Sequence, residues 1–168
     1  MADEKTVQFG RDKILYFRLL EEAGQKGAAK LALQVEHTLN EERSSDTKAT
    51  KDGQIVTQGN LTTTLEITAV STLDEVNKML YRAFREGLML EIWEVNLNDK
   101  REAEDTFGAK YMRGKLASWS LPANVEDTVD ISTTVNVEGT PQEGEVKVDK
   151  QTQTKIAYAF RDLEKVIG

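Results

Sequence analysis

The residue best suited to catalysis in this chain is its single histidine, His37. A Ser–His–Asp triad would have to use it, but no Gly-x-Ser-x-Gly sequence is present to expose a nucleophilic serine. A zinc site needs more nitrogen or sulfur ligands than one histidine supplies, and the chain has no cysteine. We therefore interpret His37 as an ordinary histidine at the end of a strand.

Glu91 and Glu94 flank Trp93, and paired carboxylates beside an indole are one arrangement that can hydrolyse a glycoside. Two residues three positions apart in a regular strand point to opposite faces of the sheet. We therefore expect a packed indole here rather than a glycosidase site. Because acidic residues are plentiful, an acidic glycosidase stays open as an alternative.

Asp46 and Asp52 could contribute oxygen ligands to a calcium ion. Their spacing does not fit an EF-hand loop, which needs acidic residues at alternate positions and a final glutamate. The glycines are scattered at turns and form no phosphate-binding loop. The sequence therefore predicts no catalytic residues, no cofactor and no metal.

The bulk composition is that of one ordinary globular domain: 39% of the 168 residues are hydrophobic and 30% charged. A net charge of -7 disfavours a general nucleic-acid-binding protein, which needs a basic surface. No apolar run approaches the roughly 18 residues of a membrane span, and the charged first residues do not resemble a signal peptide. We expect a single domain over 1–168, no membrane contact, and folding in the cytoplasm.

Strands are predicted wherever apolar residues form short runs or alternate with polar ones. The alternation is clearest at 61–71, where Leu65 and Ile67 share one face and Thr64 and Glu66 the other, and at 128–138. The segment 139–144 contains two glycines and a proline, which predicts a turn. The predicted strands, about eight in all, are 14–20, 30–38, 54–58, 61–71, 88–95, 110–121, 128–138 and 145–149.

Two segments differ from the strands. Residues 40–53 are almost wholly polar without periodicity, which predicts a long polar inter-strand loop. A helix is predicted over 72–87, because Thr72 and Glu75 form a capping box and Gly87 can end the helix. A C-terminal helix is predicted from the spacing of Ile156, Phe160 and Leu163, and residues 1–10 are expected to form a flexible N-terminal arm. The expected fold is mainly β (α+β): an antiparallel β-sandwich or partial barrel with a flanking α-helix.

The chain resembles the phage major tail protein (tail tube protein) family of siphophages that infect Gram-positive bacteria. Five stretches carry the likeness in order along nearly the whole chain: Gly10–Leu15, Asp46–Thr57, Leu90–Val95, Ala109–Gly114 and Asn124–Gly144. The resemblance implies a tail-tube-like fold and a structural subunit with no catalytic residues. It also implies hexameric rings that stack into a tube around a tape-measure protein, with tail terminator and distal tail proteins as partners. The protein would then belong to the virion tail, assembled in the host bacterial cytoplasm, and DNA would pass through the lumen without specific binding.

The resemblance and the polar strand faces together assign two sets of surface residues. The polar segment is expected to contact the next ring through charged residues: Glu41, Glu42, Arg43, Asp46, Lys48, Lys51 and Asp52. Side chains on the wet strand faces are expected to line the lumen: Gln34, Glu36, Thr64, Glu66, Asp130 and Thr134. An acidic lumen would repel DNA phosphates.

Two further alternatives stay open. The first is another ring-forming tail protein of the same fold, such as a tail terminator, a distal tail protein or a tube protein of a contractile system. The second is a monomeric β-barrel that binds a small ligand, which would need an enclosed apolar pocket.

Overall fold

The computed structural model describes residues 7–148. The predicted C-terminal helix, the last predicted strand residue and the first six residues of the predicted N-terminal arm lie outside this range. One helix, α1, spans Glu75–Glu86. The strands are β1 Lys13–Leu19, β2 Ala29–Lys30, β3 Gln34–Thr50, β4 Gly53–Val70, β5 Leu90–Lys100, β6 Thr106–Ser120 and β7 Asp130–Lys147.

All seven strands belong to one antiparallel sheet in the order β2-β1-β5-β6-β7-β4-β3. The prediction of a mainly β, antiparallel fold with a flanking helix is confirmed. The sheet has seven strands instead of about eight. It is a single open sheet whose curvature gives it the character of a partial barrel.

The strand count differs because two predicted pairs of strands merge, one into β4 and one into β7, while the predicted strand 30–38 divides into β2 and the start of β3. In β7, the predicted turn at 139–144 is wrong. β7 continues through this segment and keeps its pairing with β6, from Arg113↔Glu138 to Tyr111↔Gln142. The register shift between these pairs places more residues on β7 than on β6, so β7 forms a bulge. Gly139 adopts a φ of 73°, which a glycine reaches without steric cost. The glycines therefore mark an irregularity within one strand.

The predicted loop at 40–53 is also wrong, because these residues form most of a long β-hairpin. β3 and β4 pair as far as Thr50↔Gly53, and only Lys51 and Asp52 form the turn. Residues 41–60 are exposed on both faces of the hairpin. A strand with neither face buried has no reason to alternate apolar and polar residues, so its sequence looks like a loop.

The main core lies between one face of the sheet and α1, and a second, smaller apolar cluster joins β5, β6 and the residue that follows β7. Alternate residues of the central strands, such as Leu65 and Ile67 on β4 and Val135 on β7, are buried on this face. Leu80 and Ala83 of α1 pack against them. Among the described residues, no helix is long and apolar enough to cross a membrane.

The ends of α1 depend on local hydrogen bonds. Asp74, rather than the predicted Thr72, caps the N-terminus, and its carboxylate accepts from the backbone N–H of Asn77 at 2.9 Å. Thr72 instead accepts a hydrogen bond from the Asn77 side chain. Gly87 ends the helix with a φ of 67°, as predicted.

Candidate assembly surfaces

In the part of the chain that the structure describes, the far half of the β3–β4 hairpin has no further strand beside it. β4 pairs with β7 only over residues 63–70, and β3 is the last strand of the sheet in its order. We call residues 44–59 the hairpin arm. At roughly 3.3 Å per residue, the arm extends about 25 Å beyond the rest of the sheet.

All seven residues predicted to contact a neighbouring ring lie on or next to the hairpin arm, and all are exposed. They lie on paired strands and a tight turn instead of a loop. Within residues 7–148, the ion pairs closer than 4 Å involve other side chains, so none of these seven has an ionic partner. The arm thus presents unpaired charges of both signs to its surroundings.

The sheet face opposite α1 is polar across four neighbouring strands, and we call it the polar face. The register aligns Thr38, Glu66, Thr134 and Ser118 in one row across β3, β4, β7 and β6. A second row joins Asn40, Thr64, Asn136 and Lys115. Five of the six predicted lumen residues lie on this face: Glu36, Thr64, Glu66, Asp130 and Thr134.

Acidic side chains outnumber basic ones on the polar face. Glu36, Glu66, Asp130 and Glu138 share it with Arg113 and Lys115, while serine, threonine and asparagine supply most of the remaining surface. Short hydroxyl and amide side chains keep a sheet face wet without large apolar patches. Such a face repels a polyanion and offers it few cationic contacts.

Gln34, the sixth predicted lumen residue, does not share the polar face. Its side-chain amide accepts from the backbone N–H of Leu15 at 3.0 Å and donates to the Leu15 carbonyl at 2.9 Å. It also donates to the Leu31 carbonyl at 2.8 Å. β2 pairs with β1 at Tyr16 and Phe17 only, so the Gln34 amide continues the ladder where β2 has ended. We call this junction of β3 with β1 the seam.

His37 extends the seam to β5. Its Nε2 lies 2.7 Å from Glu94 Oε2, and both side chains are almost fully buried. Burial alone would raise the pKa of Glu94. The hydrogen bond and charge of His37, with Lys13 and Lys110 nearby, outweigh burial and lower that pKa below its ordinary value. His37 is thus a buried residue within β3 rather than the strand-end residue that the sequence predicted.

Glu91 lies on the face opposite Glu94, as predicted. Its carboxylate accepts from Arg18 Nε at 2.6 Å and from the Tyr111 hydroxyl at 2.7 Å. Burial would raise the pKa of Glu91, but these hydrogen bonds and the charges of Arg18 and Arg113 lower it. Trp93 packs against Tyr111, with ring centroids 5.2 Å apart. Because the two carboxylates are directed to opposite faces, they do not form a two-carboxylate hydrolytic site.

Comparison with known proteins identifies the same architecture in phage tails. The family model for phage tail tube protein matches residues 7–143. A tail protein of Staphylococcus phage phiMR25 is 28% identical over 161 residues, covering 92% of this chain and 82% of the relative. The SPP1 tail tube structure superposes with a TM-score of 0.70 at 19% identity, covering 96% of this chain and 95% of the other. A gene transfer agent tail gives 0.63 at 10% identity, with 81% and 98% coverage.

The family match includes the hairpin arm, all the strands of the polar face and the seam. The similarity to the SPP1 tail tube confirms the expected tail-tube-like fold. The resemblance to major tail proteins of siphophages that infect Gram-positive bacteria is likewise confirmed, and the chain belongs to the phage tail tube protein family.

Proposed function

We propose that this protein is the structural subunit of a phage tail tube and carries out no catalytic step. Its copies form hexameric rings, and the rings stack around a tape-measure protein into a conduit for DNA ejection. The observation that carries this proposal is the hairpin arm, which is folded but has no further strand or helix packed on it among residues 7–148.

The energetics of the arm favour contact with another subunit. An isolated two-stranded hairpin is marginally stable in water, and this arm buries neither face. Its unpaired charges of both signs suit ion pairs across a ring-to-ring contact. Each exposed pair contributes little, but the same contact repeated around a ring adds up through multivalency.

The polar face suits the wall of the conduit. α1 covers the opposite face of the sheet, so the polar face is the one that remains open to water. We propose that Glu36, Thr64, Glu66, Asp130 and Thr134 line the lumen. Excess acid there would repel DNA phosphates and let DNA pass without specific binding.

The proposed ring size follows two solved structures of similar fold, and the proposed partners follow the family resemblance. Sixfold symmetry is stated for the gene transfer agent tail and for the anti-feeding prophage baseplate, which superposes with a TM-score of 0.53. We propose the same symmetry here, with tail terminator and distal tail proteins at the two ends of the tube. The finished subunit would lie in the virion tail after assembly in the host bacterial cytoplasm.

Shortening the hairpin arm tests the proposal. Residues 46–57 would be replaced by Asn-Gly, because Ser45 and Gln58 pair in register and Asn-Gly closes a two-residue turn. We expect a folded subunit, judged by circular dichroism, that forms no tubes in negative-stain electron microscopy over a concentration series. The matched control is Val125→Gly, which creates the same Asn-Gly pair after Asn124 in an exposed turn outside the arm, and it should form tubes as the wild type does.

Normal tubes from the shortened variant would refute the role of the arm. Wild-type rings that never stack would favour another ring-forming tail protein, such as a terminator or distal tail protein. A strictly monomeric wild type would favour the ligand-binding alternative.

A further inference from the structure

Large apolar side chains are exposed at both ends of the β3–β4 hairpin. At its tip, Ile55 and Val56 are 48% and 63% exposed. At its base, Leu33 and Val35 are 50% and 59% exposed. The arm between these ends is polar. Paired apolar exposure at two separate places on one element indicates two contact sites rather than scattered surface residues.

The base of the hairpin is concave. Leu33 and Val35 border a groove of about 1080 Å³ beside the seam, which Ile14 and Leu39 also line. The rim carries charges of both signs: Lys13 and Lys110, whose charges also act on Glu94, lie with Arg11, Lys30, Glu36 and Glu41. The groove therefore offers an apolar floor and a charged rim.

Backbone strain at Leu33 also singles out the base. Leu33 has a φ of 51°, a conformation that is unfavourable for a residue with a Cβ. The strand contacts around it hold it there, since its carbonyl accepts from the Val70 N–H at 3.1 Å and Gln34 is fixed on β1. Strain that exposes an apolar side chain at the edge of a groove is typical of a contact site.

The tip and the base lie too far apart to meet within one subunit. Val56 pairs with Thr47, so the two ends are separated by the length of β3 from Val35 to Thr47. At roughly 3.3 Å per residue, this length is about 40 Å. A contact between different surfaces of identical subunits is heterologous, and when it does not close it generates an open stack.

We infer that the apolar tip of one copy's hairpin arm binds in the base groove of a second copy in the neighbouring ring. Ile55 and Val56 are covered in the contact by Leu33, Val35 and the groove floor. The inserting arm carries charges of both signs, Asp46, Lys48, Lys51 and Asp52, and so does the rim that it approaches. This inference rests on the proposed function, for which it names the receiving surface, and it limits the axial repeat to at most about 40 Å.

A cysteine pair tests the contact directly, since the chain contains no cysteine of its own. Val35→Cys and Val56→Cys would be combined in one chain, and assembled tubes would be treated with a mild oxidant. Two cysteines can be bridged only when their Cα atoms lie within about 7 Å, so an intramolecular bond is excluded by the length of the arm. We expect a ladder of disulfide-linked oligomers on a denaturing gel without reductant.

The control pairs Val56→Cys with Val125→Cys, a fully exposed position outside the arm and the groove. It should form tubes but no ladder. Tubes of the first variant that give no ladder, or a ladder from both variants, would overturn the tip-to-base contact while the proposed function stands. A wild type that forms no tubes would overturn the proposed function itself.

Introducing a charge on each side of the contact gives a second, independent measurement. Ile55→Glu and Val35→Lys should each raise the protein concentration needed for tubes by about tenfold or more, which corresponds to roughly 1.4 kcal/mol. The double variant places the new charges opposite each other and should recover much of this loss. Single variants that assemble at the wild-type concentration, or a double variant worse than both, would contradict the inference.

Discussion

At the scale of single residues, two polar side chains near the start of β3 hold the curved sheet together. Gln34 gives the backbone of Leu15 both a donor and an acceptor, so the edge of β1 keeps its hydrogen bonds beyond β2. His37 reaches Glu94 on β5, which lies four places away in the sheet order. Since β3 also carries the hairpin arm, these contacts fix where the arm leaves the subunit.

Replacing His37 by leucine should destabilise the subunit by roughly 3 kcal/mol, because it leaves the buried Glu94 carboxylate without its partner. The double variant His37→Leu/Glu94→Met should recover most of this loss, since a buried pair can be exchanged for apolar residues at little cost. Urea unfolding of the three proteins measures both steps. A double variant as unstable as the single variant would contradict a stabilising pairing of His37 with Glu94.

Lowering the pH should weaken the contact between His37 and Glu94. The pKa of Glu94 is lowered from the ordinary value of 4.5, so its stabilising contribution is present above that value and is lost as the pH falls through the lowered pKa. The groups facing it are His37 from β3, Lys13 from β1 and Lys110 from β6. We expect the free energy of unfolding to fall from about pH 5 to pH 3.

Glu91 and Asp74, whose pKa values are also lowered, add to this decline. Glu94→Gln should make the decline shallower, whereas Glu42→Gln on the exposed hairpin should leave it unchanged. Chemical denaturation at several pH values measures the slopes. Equal slopes for the wild type and Glu94→Gln would show that Glu94 does not contribute.

At the scale of elements, burial decides what the sequence can predict. Half-buried strands such as 61–70 alternate clearly, so their polar and apolar faces were predicted correctly, and five of the six lumen candidates lie on the polar face. The hairpin arm was taken for a loop because the described residues bury neither of its faces. The bulge at Gly139 was taken for a turn because glycine serves both purposes. The role of Gln34 was missed because it depends on a contact between strands that are distant in sequence.

Substitutions at the N-terminus of α1 can test whether Asp74 or Thr72 is its cap. Asp74→Ala removes the acceptor for the Asn77 N–H and side-chain amide and should destabilise the subunit by about 1 kcal/mol. Thr72→Ala removes the acceptor for the Asn77 side chain and the hydroxyl that hydrogen-bonds Asp74, but it leaves the cap on the Asn77 N–H and should cost less. Thermal unfolding of both variants ranks the two residues. A larger loss for Thr72→Ala would restore Thr72 as the cap that the sequence predicted.

At the scale of the whole molecule, the sheet separates two environments. The face under α1 holds the core, and the opposite face is polar across β3, β4, β7 and β6. The hairpin arm continues two of these polar strands beyond the body of the subunit. A ring of such subunits can therefore have helices outside and a hydrophilic wall inside, with arms directed at the next ring.

Thiol accessibility can determine which face lines the lumen, because every introduced cysteine is the only one in the chain. Glu66→Cys places a thiol on the polar face, and Lys78→Cys places one on the exposed side of α1. A small maleimide should label both variants, as free subunits and as tubes. A polymer-linked maleimide too large to enter the tube should label both free subunits but, after assembly, only Lys78→Cys. The reverse pattern would put the helix inside, where DNA would pass α1 and its lysine and arginine side chains instead of the acid-rich sheet.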